Sequence, residues 1–191
     1  MAPDLRSALG RWYGSPGRHY HTLDHVDEVL ERFQQCRPSL VRPLEVEVAV
    51  LFHDAIYEVG RPDNEARSAA LARAEAPRWF EVDLDRVSDL ILLTAAHGRQ
   101  GVVDQDAALF LDCDMAILGA SSERYALYAQ GVEREWAPVV SADDYRAGRA
   151  AFLRKVLDLD RIFLSDPWHL RLDTQARTNL GQELSRLDAQ S

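Results

Sequence analysis

An all-α fold follows from three features of the chain. Apolar residues recur at three- and four-residue spacing almost throughout, no segment alternates strictly between turn signals, and breakers fall between the periodic stretches. Residues 4–13 read as a first helix, closed by Gly14-Ser15-Pro16-Gly17. A second runs over 22–36, with Val26, Val29, Leu30 and Phe33 on one stripe, and Pro38 follows its end. Pro43 suits the first turn of a third helix over 44–57. A fourth covers 64–75 and stops before Pro77; a fifth covers 83–97, with Leu84, Val87, Leu90, Ile91 and Thr94 in register and Gly98 beyond. Further helices are expected over 106–118, 121–137, 142–157 and 172–187.

Length and composition narrow the function. With 191 residues, 47% hydrophobic and 28% charged, the chain reads as one globular domain over 1–191 that buries a core without disulfides. The two cysteines, Cys36 and Cys113, lie far apart in apolar patterns, so no disulfide framework is indicated. The net charge of −9 disfavours duplex nucleic acid and anionic membranes as partners, since both demand a clustered positive surface. No secretory pattern opens the sequence and no apolar run reaches about 18 residues, which points to a cytoplasmic protein. The last third is amphipathic and poor in site chemistry. Its helices fit packing on the core or self-association into a homo-oligomer.

The chemistry concentrates in the first 120 residues. His21 and His25 are four apart, which places them on one helical face a turn from each other, and His25 extends the stripe of Val29 and Phe33 toward the interior. The stretch Val48-Ala49-Val50-Leu51-Phe52-His53-Asp54-Ala55-Ile56 is apolar all round except for His53 and Asp54, so both should be buried in a helix. A buried carboxylate needs an arginine or a metal ion to compensate it. The same problem recurs in Phe110-Leu111-Asp112-Cys113-Asp114-Met115, where two residues of helix separate the acids by about 200°. Asp114, flanked by Phe110, Leu111, Ile117 and Leu118, is expected to face inward, and Asp112 to serve as a supporting or capping carboxylate. Two imidazoles and two carboxylates make a plausible site for Mn, Fe, Co, Ni or Zn, less readily Mg.

These segments, with Arg18-His19-Tyr20-His21-Thr22-Leu23-Asp24-His25, Phe52 to Tyr57, Asn64-Glu65-Ala66-Arg67-Ser68-Ala69 and Phe110 to Gly119, resemble the His…His-Asp…Asp signature of the HD superfamily of metal-dependent phosphohydrolases. The likeness is to a small bacterial subfamily of predicted HD phosphohydrolases and continues through Gly148-Arg149, Phe152-Leu153 and Ala176 to Leu180. The resemblance implies an HD-type helical bundle, with a metal-binding core over about 18–120 and added C-terminal helices over about 121–188. It implies that His25, His53, Asp54 and Asp114 bind a divalent metal ion, and that a phosphate ester or anhydride of a small phosphorylated substrate is hydrolysed. Glu58 and Glu65 are the candidate proton-transfer groups. Arg18, Arg61, Arg67 and Arg99 could meet a phosphate, Arg18 and Arg67 by preference, with His21 and His97 as further contacts. His97 could also hold a second metal or answer the helix dipole. Two alternatives stand beside hydrolysis: a non-catalytic ligand-binding or regulatory module that retains the metal, and an iron-dependent oxygenase, which would need more histidines between His53 and Asp114 than His97 alone.

Overall fold

The computed structural model describes residues 3–96 and 103–189, so the expectations for His97 and Arg99 lie outside the described residues. Among these residues the fold is all-α: α1 (Pro3–Tyr13), α2 (Leu23–Cys36), α3 (Pro43–Phe52), α4 (Asn64–Glu75), α5 (Leu84–Leu93), α6 (Gln105–Met115), α7 (Ser122–Trp136), α8 (Ala142–Leu157) and α9 (Asp166–Asp188). Single 3₁₀ turns extend several of them, notably at Ala116–Gly119 after α6.

Helix α3 is the centre. Val46 and Val48 to Phe52 are all buried, as expected for a helix apolar on every side, and α2, α4, α5 and α6 pack around it. Helix α2 shows the opposite pattern: Val26, Val29, Phe33 and Cys36 face inward and charged residues face out, with Thr22 capping the Asp24 N–H. In the C-terminal part α8 pairs with α9, and both α7 and α9 rest on the 116–119 turn. None of the described helices is long and apolar enough to cross a membrane. The two cysteines carry free thiols whose sulfurs touch at 3.6 Å between α2 and α6.

Helices α5 and α6 pass into 3₁₀ turns at Thr94 and Ala116, short of their expected α-helical ends, and α3 and α9 differ from their expected extents for local reasons. Helix α3 ends at Phe52 rather than 57, because the Arg18 guanidinium takes the carbonyls of Asp54 and Ala55 (2.7 and 2.9 Å). A continuing helix would have bonded those carbonyls to residues 58 and 59. Helix α9 begins at Asp166, not 172, since Pro167 falls in its first turn, where a proline costs no hydrogen bond.

A candidate metal centre

Three local devices bring the polar residues together. His25 sits in the first turn of α2, one turn before Val29, and is buried. His53 is the residue that closes α3. Its backbone N–H still bonds the Ala49 carbonyl, and its ring Nδ1 donates to the Val50 carbonyl at 2.9 Å. A carbonyl only accepts, so Nδ1 must carry the hydrogen, and Nε2 is left as the atom that faces the interior. Asp54 follows at once, and the chain beyond it is pinned by α4. Ser68 bonds both the N–H and the carbonyl of Ile56, and Asn64 does the same for Glu58.

The result is a cluster of acceptor atoms. The Nε2 atoms of His25 and His53 are 3.1 Å apart, and Asp54 Oδ2 lies 3.7 and 3.3 Å from them. Asp114, next to last in α6, brings Oδ1 to 3.3 Å from His25 Nε2 and 3.5 Å from His53 Nε2. The ligand atoms of His25, His53 and Asp54 all lie within 4.8 Å of one another, and this group could hold a metal ion. Adjacent ligands at a metal–nitrogen distance near 2.1 Å stand about 3.0 to 3.4 Å apart, so the imidazole spacing suits a shared ion.

The electrostatics agree with the donor chemistry. Burial alone would lower the His53 pKa, but Asp54 and Asp114 outweigh it and raise the value well above that of an ordinary imidazole. Burial likewise opposes ionisation of Asp54, yet His53, then His21 and His25, hold its carboxyl below the usual range. The two carboxylates therefore favour a protonated His53 in this cluster.

The cluster opens on a cavity of about 250 Å³ whose walls include His21, Tyr57, Glu65, Trp136, Arg149 and Phe152. Of the two expected proton-transfer residues, Glu65 is on this wall, whereas Glu58 is turned to a separate cleft of about 470 Å³ beyond Tyr57 and pairs with Arg67 at 2.7 Å. Arg67 is in that cleft too, away from the imidazoles. Arg61 pairs with Asp63 at 2.8 Å. Arg18 bridges three backbone carbonyls, of His21, Asp54 and Ala55, beneath the rings of Tyr13 and Tyr57, and so braces the loop before α2 against the one after α3.

His21 is not helical, since α2 starts only at Leu23; it stacks on Tyr57 at 4.0 Å and meets Glu135 Oε2 through Nδ1 at 2.7 Å. Asp112 is more deeply buried than Asp114. It points away from the imidazoles and accepts the N–H groups of Leu164 and Ser165 at 2.7 and 2.8 Å, a capping role just ahead of α9.

The C-terminal helices contribute more than their sequence suggested. Glu135 of α7, with no exposed side-chain surface, accepts the backbone N–H groups of His19, Tyr20 and His21 at 2.8, 2.8 and 3.0 Å. Gly131, one turn earlier, allows that approach, because a Cβ there would stand 3.1 Å from Tyr20 Cβ and 3.2 Å from the His19 carbonyl. Arg149 of α8 reaches the cavity wall but donates to Glu183 at 2.8 and 3.0 Å and to the Tyr128 hydroxyl at 3.2 Å, with the Tyr128 and Phe152 rings against its faces. Comparison with protein-family models, curated proteins and solved structures finds no match to this chain.

Proposed function

We propose that the protein is a metal-dependent phosphohydrolase that cleaves a phosphate ester or anhydride of a small phosphorylated metabolite. The observation that carries this reading is the imidazole pair 3.1 Å apart, faced by carboxylate oxygens of Asp54 and Asp114 at the wall of a cavity. The resemblance of the same motifs to HD phosphohydrolases supports it. His25, His53, Asp54 and Asp114 would hold the ion, and a mixed imidazole and carboxylate set accepts Mn, Fe, Co, Ni, Zn or, less readily, Mg.

A divalent ion bound there would lower the pKa of water and polarise a phosphoryl oxygen. The chain's own groups supply the rest. Asp54, Asp114 and Glu65 make the cavity wall acidic and Arg149 is neutralised by Glu183, so a phosphate has little reason to enter before the cation does. Glu65 is the carboxylate placed to exchange a proton with water or the leaving group. Burial works against a charged His21, but the hydrogen bond with Glu135 and the charges of Asp54 and Glu135 raise its pKa, which makes the ring a hydrogen-bond donor for a phosphate oxygen.

Metal analysis and turnover test the reading separately. Purified protein should carry about one equivalent of divalent metal or more, and Asp54→Ala should lose it; unchanged metal content in the variant removes the site. Phosphate release is then measured from nucleotides, sugar phosphates and aryl phosphates with added Mn, Co or Mg. No release from any of them by metal-replete protein refutes hydrolysis.

A further inference from the structure

A further hollow, of about 280 Å³, shares Val132, Trp136, Arg149 and Phe152 with the cavity at the His25–Asp54–Asp114 cluster, so the two adjoin along one wall. Its own walls add Val140, Asp144, Tyr145 and Gly148. The lining is mostly apolar. The charge of Arg149 is spent on Glu183, and Asp144 sits at the exposed first turn of α8, where it is hydrogen-bonded to Ser141. Trp136 and Phe152 are both only partly buried, which leaves aromatic surface available to a ligand.

Resting on the phosphohydrolase reading, we infer that this annex receives the organic part of the substrate, and that the preferred substrates are phosphate esters of aromatic or other apolar alcohols rather than of sugars. A phosphoryl group held beside His25, Asp54 and Asp114 places its attached group toward the common wall of Trp136 and Phe152. A polyhydroxylated group there would lose its water and find few partners, since only Tyr145 and Asp144 of the added wall residues offer polar side-chain atoms. An aromatic ring would instead exchange water for aromatic and aliphatic contacts.

Gly148 provides a plug for the annex. A Cβ built there meets nothing within 4 Å, and the residue lies inside α8, where leucine favours the helix more than glycine does. Gly148→Leu should therefore fold and fill the annex while leaving the metal ligands untouched. Phenylphosphonate and methylphosphonate, neither of them hydrolysable, serve as probes, with dissociation constants measured by calorimetry on Mn-loaded protein. The wild type should bind phenylphosphonate about tenfold or more tightly than methylphosphonate. In Gly148→Leu that advantage should fall to about threefold or less, with metal content and methylphosphonate affinity unchanged. Equal affinities in the wild type, or a preference that survives the plug, overturn the assignment of the annex alone. Failure of both phosphonates to bind metal-loaded protein overturns the phosphohydrolase reading, and the annex assignment falls with it.

Discussion

Glu135→Gln isolates the charge of one buried carboxylate, because glutamine has nearly the shape of a protonated glutamate. Burial resists ionisation of Glu135, but His21 and the N–H groups of Tyr20 and His21 overcome it and hold the carboxyl at about 2, against 4.5 for an ordinary glutamate. At about 1.4 kcal/mol per tenfold change in proton affinity, that difference is worth roughly 3 kcal/mol. The sign follows from the direction. A depressed carboxyl contributes stability that is complete above about 4.5 and is lost as pH falls toward 2. His21, whose pKa is raised, reports the same ion pair from the other side: its share is complete below about 6.5 and is lost as pH rises through its folded value. The pair therefore acts fully between about pH 4.5 and 6.5.

Urea unfolding measures it. With a slope near 2 kcal/mol per molar for a domain of this size, the variant midpoint at pH 6 should lie about 1.5 M below that of the wild type. At pH 3 the gap should shrink to roughly half, because the carboxyl of the unfolded chain is then almost fully protonated while that of the folded protein stays largely ionised. A gap at pH 6 under about 1 kcal/mol, or one that does not narrow on acidification, would mean that the N–H groups of His19 to His21 do not depend on this charge.

Other consequences follow from the same geometry. Asp112→Asn should cost about 1–3 kcal/mol, because the amide cannot accept from both Leu164 and Ser165, yet should keep its metal. Asp114→Ala should lower metal affinity at least about tenfold, and the opposite ordering of the two variants in metal content would reverse their assignment. Metal uptake near neutral pH should release a proton, since Asp54 and Asp114 keep His53 protonated in the metal-free cluster, so apparent affinity rises with pH; proton release in weak buffer reads this directly. Arg18→Lys should destabilise by about 1–2 kcal/mol, because one ammonium cannot span three carbonyls, and a variant that only raised KM for substrate would return Arg18 to phosphate binding.

Much of the core was legible because its signal is local. The all-round apolarity of Val48 to Phe52 meant burial, and the stripe of Val26, Val29 and Phe33 carried His25 inward with it. Within the Asn64 to Ser68 segment the residues divide by helical position. Asn64 and Ser68, one turn apart, hold the loop after Asp54, while Glu65 lines the cavity and Arg67 turns to Glu58. Glu135 was not legible, because Val132-Glu133-Arg134-Glu135-Trp136 reads like any solvated helix face. Only the segment 19–21, more than a hundred residues earlier, distinguishes buried Glu135 from exposed Glu133. Gly131 is the local trace of that contact, a small residue one turn away where a backbone crosses.

The buried acids show why composition alone could not sort site from scaffold. Asp106 accepts the N–H groups of Val41 and Arg42, Asp112 those of Leu164 and Ser165, and Asp173 that of Ile162 with Arg177 alongside. Each fastens a loop to a helix, and each is met by backbone N–H groups, with an arginine added at Asp173. Asp54 and Asp114 instead face two imidazoles, one of which has its Nδ1–H committed to the Val50 carbonyl. Acceptors gathered around acceptors are stable only with a proton or a metal between them. The type of atom opposite a carboxylate, rather than its depth of burial, therefore separates the candidate metal ligands from the struts. Asp112, more deeply buried than Asp114, is the strut.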